Sequence, residues 1–302
     1  MATPFHQPAV SHGFPAHSAR PLGKGYSEIM QMVLAYAVAG KSAGNPTLQH
    51  SLNRFRQIPG VEGPFAKLTK HPLVLIEGYS TPGNAAALRQ FLVDLGKSEP
   101  RLETVDLYDL PHLYAVLDIE MPDMVYHIAD ASHLGEIYAD HSVDVVVQDF
   151  LLNCIPASRH EPLLREAARV LKPGGLGLVS FTSNETLKVG SAWSTERLRH
   201  ERRLEWDPQA YDLSDIEKIN QGGEPLDYLK GQLIFNPATA EFIHVAVTGG
   251  RFEFFRPQAG LFSLFRQCGL QLISSDVTQG SDDHGLACTR YRCLLIRDPQ
   301  DA

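Results

Sequence analysis

The sequence predicts an α/β chain built on a doubly wound, mainly parallel sheet, and two observations carry that reading. Apolar runs such as Leu73-Val-Leu-Ile76 and Val145-Val-Val147 are continuous rather than alternating, as in strands covered on both faces. Between such runs lie segments whose apolar residues recur at helical spacing, for example Leu163, Leu164, Ala167, Ala168 and Leu171. Strands alternating with helices mean βαβ units. At 302 residues the chain is about twice a typical domain, so surplus length has to be placed somewhere.

The elements follow in order. Residues 1–25 hold Pro4, Pro8, Pro15 and Pro21 with His6, His12 and His17, too little apolar surface for a core, and are expected to be a flexible segment. Ile29, Met30, Val33, Leu34, Ala37 and Val38 predict a helix over 27–40, with Ser27 as its N-cap. A second helix is expected from Thr47 to about Gln57, and Pro59, Gly60, Gly63 and Pro64 read as a linker. Strand 73–76 and helix 83–95 come next, then strand 102–107, a short helix over 111–118 and strand 124–128. Strand 142–150, helix 158–171, the stop Lys172-Pro-Gly-Gly175 and strand 176–181 complete the alternation. It then breaks: 184–256 contains charged, helix-prone stretches such as 194–206. Helix 258–268 and strands 270–276 and 288–296 end the chain.

Composition narrows the function. Acidic residues outnumber basic ones 35 to 27, for a net charge of −8, so the basic footprint of a nucleic-acid binder is absent. The four cysteines form no CxxC pair and none has a His at zinc-like spacing. They read as buried free thiols in a reducing compartment. The irregular His6, His12 and His17 have no acidic partner, so no metal is expected. With no secretory-type N-terminus and no apolar run of ~18 residues, the expectation is a cytoplasmic protein that uses no membrane.

Three stretches carry chemistry. Leu73-Val-Leu-Ile-Glu-Gly-Tyr-Ser-Thr-Pro-Gly83 is a strand, a small-residue turn and a helix, which together bring backbone N–H groups and a helix N-terminus to a ligand. Asp106 ends the next strand, where a carboxylate can accept both hydroxyls of a ribose. The third is Ile128-Ala-Asp-Ala-Ser-His-Leu134, followed by Asp144-Val-Val-Val-Gln-Asp-Phe-Leu-Leu-Asn153 and Leu164-Arg-Glu-Ala-Ala-Arg-Val-Leu-Lys-Pro-Gly-Gly175.

The run from Ala129 to Ser180 resembles the class I S-adenosylmethionine-dependent methyltransferases. The resemblance covers 71–182 well and 258–297 loosely. It implies a Rossmann-like, seven-stranded doubly wound sheet with an N-terminal helical addition and a lid-like insertion after strand five. The implied division is a flexible segment 1–25, a helical cap 26–70, a cofactor domain formed by 71–183 and 257–302, and a substrate lid 184–256. S-adenosyl-L-methionine is the implied cofactor. Its implied contacts are Glu77, Gly78, Tyr79 and Gly83 in the first motif, Asp106 on the ribose, Asp130 and Ala131 at the adenine, and Gln148 at the methionine end. Tyr79 and Thr81 stand where the family carries its first two glycines, and Gly78 sits one place early. An aromatic face at Tyr79 would attract the sulfonium.

Each residue has a plainer role beside it. Glu77 can cap the following helix, Asp109 rivals Asp106, and Asp130 can be a solvated loop acid. Asn153 is either a substrate contact or an amide that satisfies loop backbone. Tyr211, with Trp193, Trp206 and Tyr228, lines a pocket or forms a small core of the insertion. His133, His160 and His244 are candidate bases by type alone, with no partner spacing, and read more simply as surface or packing histidines. Arg197, Arg199, Arg202 and Arg203 mixed with glutamates read as a solvated helix face. The expected activity is methyl transfer to a small molecule in specialised metabolism, with a homodimer possible through helix 27–40. Two alternatives stand beside it. One is intramolecular cyclisation of the cofactor to azetidine-2-carboxylate and methylthioadenosine. The other is a non-catalytic cofactor-binding scaffold.

Overall fold

A computed structural model describes residues 46–78, 82–107, 109–111, 115, 120–155, 157–183, 233–236, 241–245, 252–281 and 287–298. Helix α1 spans Pro46–Phe55 and α2 Glu62–Ala66. The alternating body runs β1 Leu73–Glu77, α3 Pro82–Asp94, β2 Arg101–Asp106, β3 Val125–Ile128, β4 Val143–Asp149, α4 Ala157–Val170 and β5 Leu171–Ser183. Strands β6 Leu233–Asn236, β7 Glu241–Val245 and β8 Phe252–Phe255 follow. Helix α5 Gln258–Gln267, β9 Leu270–Ser281 and β10 Ala287–Arg297 close the chain.

The main sheet has seven strands in the order β3-β2-β1-β4-β5-β10-β9. The first five are mutually parallel, while β10 runs antiparallel to both β5 and β9. Alternate residues of the continuous apolar runs feed two cores. On one face Val74, Ile76, Val145 and Val147 pack with Leu48, Leu52 and Phe55 of α1, Phe65 of α2 and Leu88 and Phe91 of α3. On the other, Leu75, Val105, Val146 and Val179 pack with Leu163, Leu164 and Ala167 of α4 and Leu261 and Phe265 of α5. This is why β1 and β4 show no polar alternation.

Three expectations change. The segment read as a linker contains α2, because Val61 and Phe65 bury themselves in the first core. The Lys172-Pro-Gly-Gly175 stop lies within β5, as an irregularity between the pairs Val143 with Leu171 and Val145 with Leu176. There a Cβ on Gly175 would meet the Lys172 carbonyl oxygen at 2.8 Å. Within 184–256, β6, β7 and β8 form a separate three-stranded antiparallel sheet that the charged texture of the region had hidden. Helix 27–40 and most of the short helix at 111–118 lie outside the described residues, as do Trp193, Trp206, Tyr211, Tyr228 and the arginine-rich stretch. Cys268 and Cys293 are buried free thiols as expected, but Cys154 is exposed.

Candidate functional site

In a doubly wound sheet, ligands bind outside the carboxyl ends of the strands, where the strand order reverses. Here the chain leaves β1 for β2 on one side and later returns to place β4 on the other, so the switch lies between β1 and β4. Glu77 ends β1 and Gln148 is the penultimate residue of β4. Gln148 Nε2 donates to Glu77 Oε2 at 2.6 Å. The other oxygen of each, Glu77 Oε1 and Gln148 Oε1, is buried without a partner. Glu77 is only 2% exposed, and burial pushes its carboxyl up to about 8 against the pull of the Gln148 bond.

Gly78 turns the chain immediately after β1. Its φ is +92°, and an added Cβ would meet Leu151 Cδ1 at 3.1 Å. Glycine is needed here for both conformation and space. Its N–H donates to the Val105 carbonyl at 3.0 Å. Residues 79–81, and so Tyr79, lie outside the described residues. Gly83 is the second residue of α3. Beside it Asn84 is buried with its Oδ1 unpartnered, a polar atom facing no protein donor that sequence reading passed over. An Asn in the first turn of a helix after a strand is the signal that would have found it.

Asp106 ends β2 and is 7% exposed, whereas its rival Asp109 is exposed, which separates the two. The Asp106 carbonyl accepts the Ala129 N–H at 2.9 Å, tying the end of β2 to the loop after β3. In that loop Asp130 Oδ1 accepts the Ser132 N–H at 2.8 Å, an Asx turn that shapes the backbone around Ala131.

Asn153 proves to be a backbone clamp. Its Nδ2 donates to the Thr182 carbonyl at 2.9 Å and its Oδ1 accepts the Thr182 N–H at 2.7 Å, joining the 3-10 turn Leu151–Asn153 to the end of β5. Both bonds are to loop backbone, which favours the second of the two readings given for this amide. His160 holds the same turn through Nε2, while its Nδ1 is buried without a partner. Its Nε2 donates to the Leu152 and Ile155 carbonyls at 2.9 and 3.1 Å, and burial pushes it down to about 4. A ring neutral at pH 7 with Nε2–H committed is an anchor for that same turn. His133 is exposed, and His244 lies in β7. No cluster of three or more potential metal ligands occurs among the described residues. No helix among them is long and apolar enough to cross a membrane.

Residues 102–179 match the family model of the methyltransferase domain. No curated protein sequence matches the chain significantly. Among solved structures, an S-adenosylmethionine-dependent methyltransferase from Methanosarcina mazei aligns with a TM-score of 0.50 at 14% identity, covering 77% of this chain and 95% of that one. A Burkholderia thailandensis 1,6-didemethyltoxoflavin-N1-methyltransferase, solved with S-adenosylhomocysteine bound, aligns with a TM-score of 0.47 at 12% identity over 92% of each chain.

The bare site fits the cofactor of that family. Gln148 Oε1 is an orphaned acceptor, and Glu77 Oε1 becomes one once its carboxyl ionises; S-adenosylmethionine brings ammonium and hydroxyl donors. A buried acceptor without a donor costs about 1–3 kcal/mol, which a bound donor recovers. A cation beside Glu77 would also restore its carboxylate form. The matched methyltransferase domain over residues 102–179, the strand order of the sheet and the unpartnered polar atoms at the switch point agree with one another.

Proposed function

We propose that the protein methylates a small molecule in specialised metabolism. The observation that carries the small-molecule reading is the second sheet: β8 lies against the turn Leu151–Asn153 at the carboxyl end of β4. A sheet over that edge encloses a small acceptor and hinders a large one, in the manner of a lid. The net charge of −8 points the same way, since a nucleic-acid substrate calls for a basic surface.

When bound, S-adenosylmethionine supplies a methyl group on a positively charged sulfur. The chain's part is to hold and to exclude. In this reading Glu77 and Gln148 take the ammonium end, Asp106 the ribose hydroxyls, and the turn at Asp130 and Ala131 the adenine. Gly78 keeps the backbone close to the ligand. Placing an acceptor atom ~3 Å from the methyl in a dry site supplies most of the rate, because orientation replaces a bimolecular encounter. The Nε2–H of His160 and one Nδ2–H of Asn153 are spent on backbone carbonyls, and burial holds the His160 ring down at about 4, a weak base. An acceptor nitrogen that is already neutral suits this site, because it needs no base.

The test is incubation of the purified protein with methyl-labelled S-adenosylmethionine and pools of small molecules. Label entering a small molecule, with S-adenosylhomocysteine formed, is the expected result. Methylthioadenosine produced with no acceptor present would replace this reading with cyclisation. Cofactor binding with neither product across all pools would replace it with a non-catalytic scaffold.

A further inference from the structure

Arg292 is the largest fully buried side chain among the described residues, at 1% exposure. It lies in the middle of β10, paired with Ser180 of β5 and Asp276 of β9. Ser180 in turn pairs with Asp149, the last residue of β4, so Arg292 stands level with the carboxyl edge, one position along β4 from Gln148. Its partners do not match its charge. One terminal guanidinium nitrogen donates to Thr278 Oγ1 at 2.6 Å, a neutral acceptor. The same nitrogen is 3.7 Å from Asp276 Oδ2, beyond hydrogen-bond reach. Its Nε–H is buried with no acceptor at all.

The carboxylates that might serve it are engaged elsewhere. Asp276 is held by Arg54 of α1 through both of its oxygens, Nε to Oδ2 at 2.8 Å and a terminal nitrogen to Oδ1. Asp149 accepts from Ser51 Oγ, also of α1, at 2.8 Å. Burial first holds the Arg292 guanidinium below its ordinary value, with Asp276 and Asp149 opposing and Arg290 and Arg54 adding to the burial effect. The neighbouring His50 responds in kind. Burial first, and then the fields of Arg292, Arg290 and Arg54, hold its imidazole below the ordinary value, with only Asp276 opposing. A desolvated cation with an idle donor is costly to maintain, and an anion supplied from outside removes that cost.

We infer that Arg292 is the anchor of a subsite for a carboxylate, the acidic group of the methyl acceptor, held beneath α1 at the carboxyl edge of the sheet. The inference rests on the methyltransferase reading for what the carboxylate belongs to, but the subsite is testable without it. The planar guanidinium edge with its idle Nε–H suits a planar carboxylate. Between Arg292 and solvent, Arg54 and Asp276, with side chains 28% and 12% exposed, tie α1 to β9.

The experiment uses the full chain with S-adenosylhomocysteine, 15N-labelled at arginine, titrated with benzoate and, separately, with neutral benzamide and inorganic phosphate. Benzoate is expected to bind saturably and to move one buried arginine Nε–H resonance, while benzamide does not. Arg292→Met should weaken benzoate on the order of tenfold or more, and Arg292→Lys, which keeps charge but loses the fork, should fall between. The resonance reports on the unmodified protein, so it decides the matter even if a variant fails to fold. No movement of that resonance, or equal benzoate affinity in a folded Arg292→Met, overturns the subsite. Tighter binding of phosphate than benzoate overturns its carboxylate class. Calorimetry with S-adenosylmethionine runs alongside: cofactor binding without benzoate binding sinks the subsite alone, and benzoate binding without cofactor binding sinks the methyltransferase reading alone.

Discussion

At the amino edge of the parallel strands, Asp144 accepts the Leu73 N–H and the Lys172 ammonium, both at 2.8 Å. Nearby Arg297 donates to the carbonyls of Ala168, Arg169 and Leu171, closing the end of α4. At the carboxyl edge Glu77, Gln148 and Arg292 each keep a buried polar atom without a partner, as do Asn84 at the start of α3 and Ser183 at the end of β5. Asp144 is buried much as Glu77 and Gln148 are, yet only at the amino edge are these buried polar groups satisfied by the protein itself. The amino edge spends its polar groups on stability. The carboxyl edge holds some in reserve, which is what a binding edge must do.

Substitutions at the two edges should therefore separate stability from binding. The largest effect is expected from Asp144→Ala, which leaves a strand N–H and a lysine unpaired. It should cost about 2–4 kcal/mol of stability in denaturant titration, with cofactor affinity of the folded fraction unchanged. A large affinity loss there would break the contrast. Glu77→Gln should act oppositely, weakening S-adenosylhomocysteine on the order of tenfold while stabilising the empty protein at pH 8. The sign follows from the raised carboxyl. Between its ordinary value of 4.5 and about 8 the native state holds the proton that the unfolded chain has lost, so stability falls as pH rises through that window. Glutamine abolishes the fall, and each kcal/mol regained should raise Tm by roughly 2–4 °C.

Gly78→Ala should cost about 1–2 kcal/mol, from the left-handed φ and the approach to Leu151, and should weaken cofactor binding as well. Asn153→Ala should cost on the order of 1–2 kcal/mol through the orphaned Thr182 backbone groups. It should leave KM for any acceptor nearly unchanged; a large KM effect would return this amide to the substrate site. The smallest effect expected is proton release on cofactor binding below pH 8, as Glu77 ionises beside an ammonium. It should be measurable by calorimetry in buffers of different ionisation enthalpy, and should be absent in Glu77→Gln.

Much of the alternating body was legible because its signals are local. Continuous valines at β4, the apolar stripe of α4 and the helix after Pro82 each announce an element within a dozen residues. The insertion was illegible for the opposite reason. Strands β6, β7 and β8 are short and are recognised only by pairing with one another, while the charged stretch before them suggested helix. Of the site, Glu77, Gly78 and Asp106 were read from their places at strand ends. Gln148 was placed by its backbone, and its side-chain bond to Glu77 went unseen. For Asn153 two readings stayed open and His160 was a candidate base by type alone, because a residue type does not say what its polar atoms already hold.

The sequence by itself determined the class of fold, the order of elements in the alternating body and the strand ends at which acids would gather. All of these follow from periodicities and turn residues that act between near neighbours. The tertiary structure alone decided which polar atoms are satisfied: Gln148 meets Glu77 across 71 residues, Arg54 meets Asp276 across 222, and Arg292 is left wanting an acceptor. Those outcomes depend on strand register and on which helix covers which face. Only the folded chain fixes register and coverage, because both are set by the packing of residues far apart in sequence.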